Sequence, residues 1–110
     1  MTARPGIGAR GRRFTLEVPQ ESPDGFGGVI RIFQPGAQLW GSIELLSARE
    51  RFRAGREEAA ATHRLVLPFR AGITAAMQVT LGPRRFRITH VGDPDGRGRA
   101  LVCLVEEVGP

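Results

Sequence analysis

The chain has 110 residues, of which 41% are hydrophobic, and a formal net charge of +5. This length fits one domain, and the apolar content excludes a disordered tail. One cysteine excludes an intramolecular disulfide, and one cysteine with two histidines argues against a zinc site. No run of about 20 apolar residues is present, so we expect no membrane contact.

All 16 basic residues are arginines. The codon usage of a high-GC genome explains this bias. Selection for the planar guanidinium, which binds carboxylates and phosphates bidentately, is the alternative. The sequence leaves both explanations open, although a basic surface favours polyanionic neighbours in either case.

The start of the chain divides into an arm and a domain. Residues 1–12 are rich in Gly and Arg and predict a flexible basic arm, so the single domain covers 13–110. Alternating apolar and polar residues at 13–18 predict a strand. The following stretch, 19–28, holds two Pro and three Gly and predicts a loop that is too long for a tight hairpin.

The rest of the chain predicts further strands and one helix. Strands are expected at 29–34 and 37–46, with a turn at Pro35-Gly36. Ser47 and Glu50 predict a capping box that starts a short helix, which ends near Gly55. Later strands are expected at 60–69, 77–81, 85–91 and 100–105. The last of these is almost entirely apolar, so both of its faces should be covered. The pattern predicts a mostly β fold, a small β-barrel or sandwich of about six to seven strands with one inserted helix.

Nothing in the sequence indicates catalysis. His63 and His90 fall in phase with inward apolar residues of their strands, which predicts buried or strand-end histidines with a local partner, whereas a general base needs a nucleophile or acid within hydrogen-bond reach. Cys103 lies within an apolar strand, where a thiol is normally inert. We therefore predict no enzyme activity, no catalytic residues, no cofactor and no metal.

The helix and the strand before it supply candidate contacts. Arg49, Arg53 and Arg56 share one helix face, which is either solvated or bound to a neighbour's carboxylates or to DNA phosphates. Phe52, on another face, is expected to dock the helix. Trp40 points away from its strand's apolar face and packs under the helix or anchors an interface. These five residues are the predicted subunit or ring contacts.

Val66 also faces away from the apolar side of its strand. Several predicted strands thus carry apolar residues on both faces, although a barrel of this size has one interior. This surplus predicts either a covering helix or a protein partner.

Five motifs follow one another across residues 13–107. They are FTL at 14–16 followed by DGFGG at 24–28, the segment from Trp40 through Ile43 and Ser47 to Phe52, ATHR at 61–64, GIT with Met77 at 72–77, and DPDGR at 93–97. In this order and spacing the chain resembles the phage head–tail joining family, the head closure or stopper proteins of long-tailed phages, prophages and gene transfer agents. It departs from the family at the basic arm and in the hairpin at 82–85.

The resemblance implies an SH3-like β-barrel with one helix that assembles as a six- or twelve-fold homo-oligomeric ring. The ring would assemble in the bacterial cytoplasm and lie in the neck of a virion or phage-like particle. Its implied partners are a portal-side adaptor protein, a tail terminator or other tail-side protein, and the DNA that passes nonspecifically through the channel. The ring would retain the packaged DNA.

The resemblance also implies a role for the loop that contains Asp24, Gly25, Phe26 and Gly27. These residues would contact the channel or a partner. The alternative function is a freestanding, sequence-nonspecific nucleic-acid-binding β-barrel.

Overall fold

The computed structural model describes residues 11–53 and 61–109. These residues form six strands and one short helix: β1 (Arg12–Pro23), β2 (Val29–Leu45), α1 (Ala48–Arg53), β3 (His63–Pro68), β4 (Gln78–Leu81), β5 (Arg84–Gly92) and β6 (Ala100–Val108). All strand pairs are antiparallel, and the sheet closes into a barrel in the order β1-β2-β3-β6-β5-β4. The predicted mostly β barrel with one short helix is confirmed. Residues 1–10 of the predicted arm lie outside the described residues, and β1 already includes Arg12.

The barrel core comes from the alternate residues of each strand that point inward. In β3, for example, buried and half-buried positions alternate from His63 onward. The core side chains are Phe14, Leu16, Leu65, Leu67, Ile73, Val79, Phe86, Ile88, Leu101, Cys103 and Val105. None of them comes from residues 18–34, so that part of the hairpin adds nothing to the core.

Gly41 marks a close approach between β2 and β3. A Cβ atom at this position would lie 2.6 Å from the carbonyl oxygen of Val66 and 2.7 Å from Cδ2 of Leu67. Both distances are shorter than van der Waals contact, and the first involves backbone that cannot easily move. The packing of these two strands therefore requires glycine.

The long loop predicted at 19–28 is wrong. β1 continues to Pro23 and pairs with β2 from Val18↔Gln34 to Pro23↔Val29, which leaves only residues 24–28 as a turn. Proline is accepted here because this part of β1 has a free edge, toward which a residue without an N–H can face at no cost.

The turn predicted at Pro35-Gly36 is also wrong, because β2 passes through it. The pairs Thr15↔Gln38 and Glu17↔Pro35 leave one residue of β1 opposite two residues of β2. This is a β-bulge, which bends a strand without ending it. It joins two predicted strands into one, so the described chain has six strands where the spacing indicated about seven.

Helix α1 begins with the predicted capping box. The Ser47 N–H donates to Oε1 of Glu50 at 3.0 Å, and the Glu50 N–H donates to Oγ of Ser47 at 3.1 Å. Arg64 of β3 forms ion pairs with Glu50 and with Glu44 of β2. The hydrogen bonds from Ser47 and then Arg64 lower the pKa of Glu50 to about 2. The start of α1 is thereby attached to the barrel wall; the helix end predicted near Gly55 lies outside the described residues.

The two histidines differ in position. His63 is buried as predicted and meets Phe86 edge-to-face, with ring centroids 5.3 Å apart. The prediction that His90 points inward is wrong, because the register of β5 against β6 shifts between Ile88 and His90 and turns His90 to the exposed face. The alternation of apolar and polar residues along a strand does not predict where such a bulge occurs.

Candidate interaction surface

The most prominent surface is a two-stranded projection, here called the ribbon, formed by residues 18–23 of β1 and 29–34 of β2. These residues pair only with each other, because β4 reaches β1 at Thr15–Glu17 and β3 reaches β2 at Ser42–Leu45. Six residue pairs extend a strand pair by ~20 Å. The ribbon explains why the chain measures 58 × 31 × 30 Å.

The turn at the end of the ribbon, here called the tip (residues 24–28), is held by one carboxylate. Oδ1 of Asp24 accepts the N–H of Phe26 at 2.7 Å and the N–H of Gly28 at 3.0 Å. Gly25 and Gly27 both have φ of 85°, a conformation that favours glycine. Phe26 lies between them with 94% of its surface exposed. The predicted contact residues Asp24 to Gly27 thus form a hydrogen-bonded turn that presents one aromatic ring.

The ribbon carries apolar side chains that nothing in the described chain covers. Ile30 and Ile32, on one face, are 49% and 46% exposed, and Val29 on the other face is 64% exposed. A two-stranded hairpin is at best marginally stable in water on its own. Exposed apolar residues in such an element mark a surface for another protein.

The predicted contacts around the helix are only partly described. Trp40 is 52% exposed on the outer wall, and the guanidinium of its cross-strand partner Arg13 lies 4.9 Å from the indole centroid. Arg49 is exposed on α1. The side chains of the remaining predicted contacts lie outside the described residues: Phe52, Arg53 and Arg56. Trp40 and Arg49 remain predictions as interface residues.

A second apolar surface lies on the outer wall between β5 and β6. It is an open depression of about 350 Å³, here called the wall pocket, and its lining is mostly apolar. It is lined by His90, Gly92, Asp93, Pro94, Val102 and Leu104. The sequence signal for it was the continuous apolar run of the last strand. That run predicted two covered faces, but the outward residues Val102 and Leu104 are only half-buried.

The β5–β6 loop forms a preformed rim for the wall pocket. Asp93 accepts the N–H of Gly96 at 3.1 Å through Oδ1 and the N–H of Gly98 at 2.9 Å through Oδ2. Asp95 accepts the N–H of Arg97 at 2.9 Å and forms an ion pair with Arg99 at 2.7 Å. The hydrogen bond from Arg97 and then that from Arg99 lower the pKa of Asp95.

Two arginines of β5, Arg84 and Arg87, form ion pairs within the chain. Arg84 binds Glu107 at 2.8 Å, and Arg87 binds Glu106 at 2.6 Å. The hydrogen bond from Arg84 lowers the pKa of Glu107. Because these arginines are already paired with carboxylates of β6, they have less charge available for DNA phosphates.

The titratable groups of the described chain offer no evident catalytic arrangement. Burial raises the pKa of the Cys103 thiol to about 11, so the thiol stays protonated and is not a nucleophile. Residues 11–53 and 61–109 contain no group of three His, Cys, Asp or Glu placed to hold a metal ion. No helix in these ranges is long and apolar enough to cross a membrane.

Comparison with known proteins finds one matching family model and similar solved structures. The family model described as phage head completion protein matches residues 7–108. A protein of Shigella flexneri 2a, known from its solution structure, is 25% identical with a TM-score of 0.75, covering 92% of this chain and 95% of that one. A chain from the virion of a native gene transfer agent particle is 25% identical with a TM-score of 0.64, covering 88% of this chain and 94% of that one. No curated protein matches significantly.

Proposed function

The chain belongs to the phage head completion protein family, and on that premise we propose that it forms a ring at the head–tail junction of a phage or phage-like particle. A head completion protein is a structural component of the particle and not an enzyme. The similarity to a chain of a gene transfer agent virion supports a place in such a particle.

The ribbon is the observation that carries this proposal. It extends ~20 Å beyond the barrel, contributes no side chain to the core, and exposes Ile30, Ile32 and Val29. A chain that works alone gains nothing from an apolar projection of this kind, which is an aggregation liability. A subunit of an assembly buries the same projection against its neighbours.

The proposed ring is six- or twelve-fold and lies in the particle neck between a portal-side adaptor and a tail-side protein. Closed rings need two different surfaces on each subunit. The ribbon and the wall pocket supply two candidates on one chain. In this position the ring lines the DNA channel, contacts DNA without reading its sequence, and retains the packaged genome.

The alternative, a freestanding nucleic-acid-binding barrel, is less well supported. Four arginines that would bind phosphates are already paired with carboxylates in the chain: Arg64, Arg84, Arg87 and Arg99. This alternative requires that the isolated monomer bind DNA with an affinity that falls steeply with salt. Titration of duplex DNA at two salt concentrations measures that directly.

Deletion of the gene from the phage or prophage that encodes it tests the proposal. We expect DNA-filled heads to lose their DNA and to remain separate from tails, as seen by electron microscopy and by nuclease protection of packaged DNA. Wild-type protein supplied from a plasmid should restore tailed, DNA-filled particles. Intact tailed particles with protected DNA in the deletion strain, without the plasmid, would refute the proposed function.

A further inference from the structure

We propose that the tip of one subunit inserts Phe26 into the wall pocket of a second copy of the same chain. This inference rests on the proposed ring and names the contact that closes it. The contact is heterologous, since the donated surface lies on the ribbon and the accepting surface on β5 and β6.

The two surfaces match in chemistry and in size. Phe26 is the most exposed large apolar residue of the described chain, at 94%. An aromatic side chain buries roughly 150–250 Å² when it is enclosed, and aromatic anchors dominate the energetics of many interfaces. The wall pocket has a mostly apolar lining and a volume of about 350 Å³, enough for one phenyl ring.

Both surfaces are held in position before they meet. The carboxylate of Asp24 fixes the tip through hydrogen bonds to Phe26 and Gly28. The carboxylate of Asp93 fixes the pocket rim through hydrogen bonds to Gly96 and Gly98. Because neither side must order a loop on contact, association loses less conformational entropy than it would between mobile loops.

The barrel order places the two surfaces on opposite walls. In the closed order β1-β2-β3-β6-β5-β4, the strand across the barrel from β1 is β6, and the strand across from β2 is β5. A subunit that donates a ribbon on one wall therefore accepts a ribbon on the other. This is the head-to-tail arrangement that generates a ring when the rotation between neighbours closes.

The two surfaces also share one end of the barrel. Since all pairs are antiparallel, the ribbon leaves the barrel at the end where β5 finishes at Gly92 and β6 starts at Ala100. The wall pocket lies at this end, around Asp93 and Val102. The base of the ribbon and the wall pocket therefore lie at the same end of each subunit, and the tip lies ~20 Å beyond that end.

Crosslinking between two single-cysteine variants tests the contact in assembled particles. Phe26→Cys and Leu104→Cys are co-expressed in cells that assemble the particle, and purified particles are treated with a short bismaleimide. We expect a covalent dimer of the chain, identified by mass spectrometry of the linked peptides. Cys103 should not react, because its thiol is buried.

Two matched controls define the background. Particles that contain only one of the two variants have no tip cysteine facing a pocket cysteine and should give no dimer. Leu45→Cys, which is 72% exposed at the opposite end of the barrel, should give none when it is paired with Leu104→Cys.

The other outcomes overturn the inference without touching the proposed function. Particles that contain both variants and give no dimer would show that the tip does not occupy a neighbour's pocket. A crosslink from the tip to a different particle protein would place Phe26 on another ring. The proposed function fails separately, when the deletion strain makes intact DNA-filled particles.

Complementation between isolated variants gives a second readout that does not depend on particle incorporation. Phe26→Asp removes the donor and keeps the pocket, while Leu104→Arg blocks the pocket and keeps the donor. Each variant alone should lose self-association on the order of tenfold or more, while an equimolar mixture should form dimers and nothing larger. Circular dichroism checks that both are folded. Wild-type association by both folded variants, or no dimers in their mixture, would refute the contact.

Discussion

The ribbon should be dispensable for folding and indispensable for assembly. In a ribbon-deletion variant, residues 19–33 are replaced by Asn-Gly, so that a two-residue turn joins Val18 to Gln34, which face each other across the hairpin. The barrel core keeps all its side chains, because none of them lies in the deleted segment. The variant therefore separates the cost of losing the ribbon from any damage to the barrel.

The expected change in the free energy of unfolding is small. The deletion removes five cross-strand pairs, Pro19↔Phe33 through Pro23↔Val29, and such pairs contribute roughly 0.2–1 kcal/mol each. Against this loss, the chain no longer loses the conformational entropy of ordering these residues, and it closes a shorter loop. The two effects oppose each other, so we expect stability within about 1 kcal/mol of wild type, as for a marginal hairpin.

Urea denaturation followed by circular dichroism measures the difference, and thermal melts provide a check. A difference of 1 kcal/mol moves the Tm of a domain of this size by roughly 4–8 °C. In the same gene deletion strain, the variant should fail to restore DNA-filled tailed particles. A loss of more than about 3 kcal/mol would show that the ribbon belongs to the cooperative fold, since this exceeds what a marginal hairpin contributes. Restored particles would show that it makes no essential contact.

Three further predictions concern the barrel itself. Gly41→Ala should lower the free energy of unfolding by about 1–3 kcal/mol through overpacking, whereas Gly109→Ala, where a Cβ meets nothing within 4 Å, should change urea denaturation little. Burial lowers the pKa of His63 from 6.5, opposed by the nearby Glu107 charge and assisted by the Arg84 charge. Because the unfolded chain then binds a proton more readily than the folded chain, this contribution to stability is complete above pH 6.5 and is lost as the pH drops toward the folded pKa. His63→Gln should flatten the pH dependence of the urea midpoint, and His90→Gln should retain it. The opposite result would contradict the attribution of this pH dependence to His63. Cys103 should react with a thiol reagent only after urea unfolds the chain, and rapid reaction in the native protein would contradict its burial.

The sequence predicted local chemistry better than strand length. The capping box of Ser47 and Glu50 was correct because both residues and both hydrogen bonds lie within one helical turn. In the sequence, Pro19, Pro23 and Pro35 predict breaks between strands, but β1 and β2 continue through them. Whether a proline ends a strand depends on whether its position has a partner on that side, and this is a tertiary property that one segment does not encode.

Of the two candidate surfaces, the sequence predicts the tip but not the wall pocket. Asp24 to Gly27 form the tip, and their contact with a channel or a partner stays a prediction. The wall pocket was missed as a site. Its signal was present in the apolar run around Val102 and Leu104, but His90 was assigned to the interior because a bulge in β5 shifts the phase of the strand. The position of the ribbon and the wall pocket on opposite walls depends on how the six strands close into a barrel, which no single segment of the sequence encodes.

The ribbon is also a lever. The β1–β2 hairpin is joined to the rest of the barrel by three residue pairs with β4 on one side and four with β3 on the other. A side-chain hydrogen bond from Gln78 to Glu17, 2.5 Å long, crosses the three-pair seam. A sideways force on Phe26 acts through an arm of ~20 Å and produces a torque on that seam. The β1–β4 seam, which has the fewest residue pairs in the barrel, therefore bears a force applied at the tip.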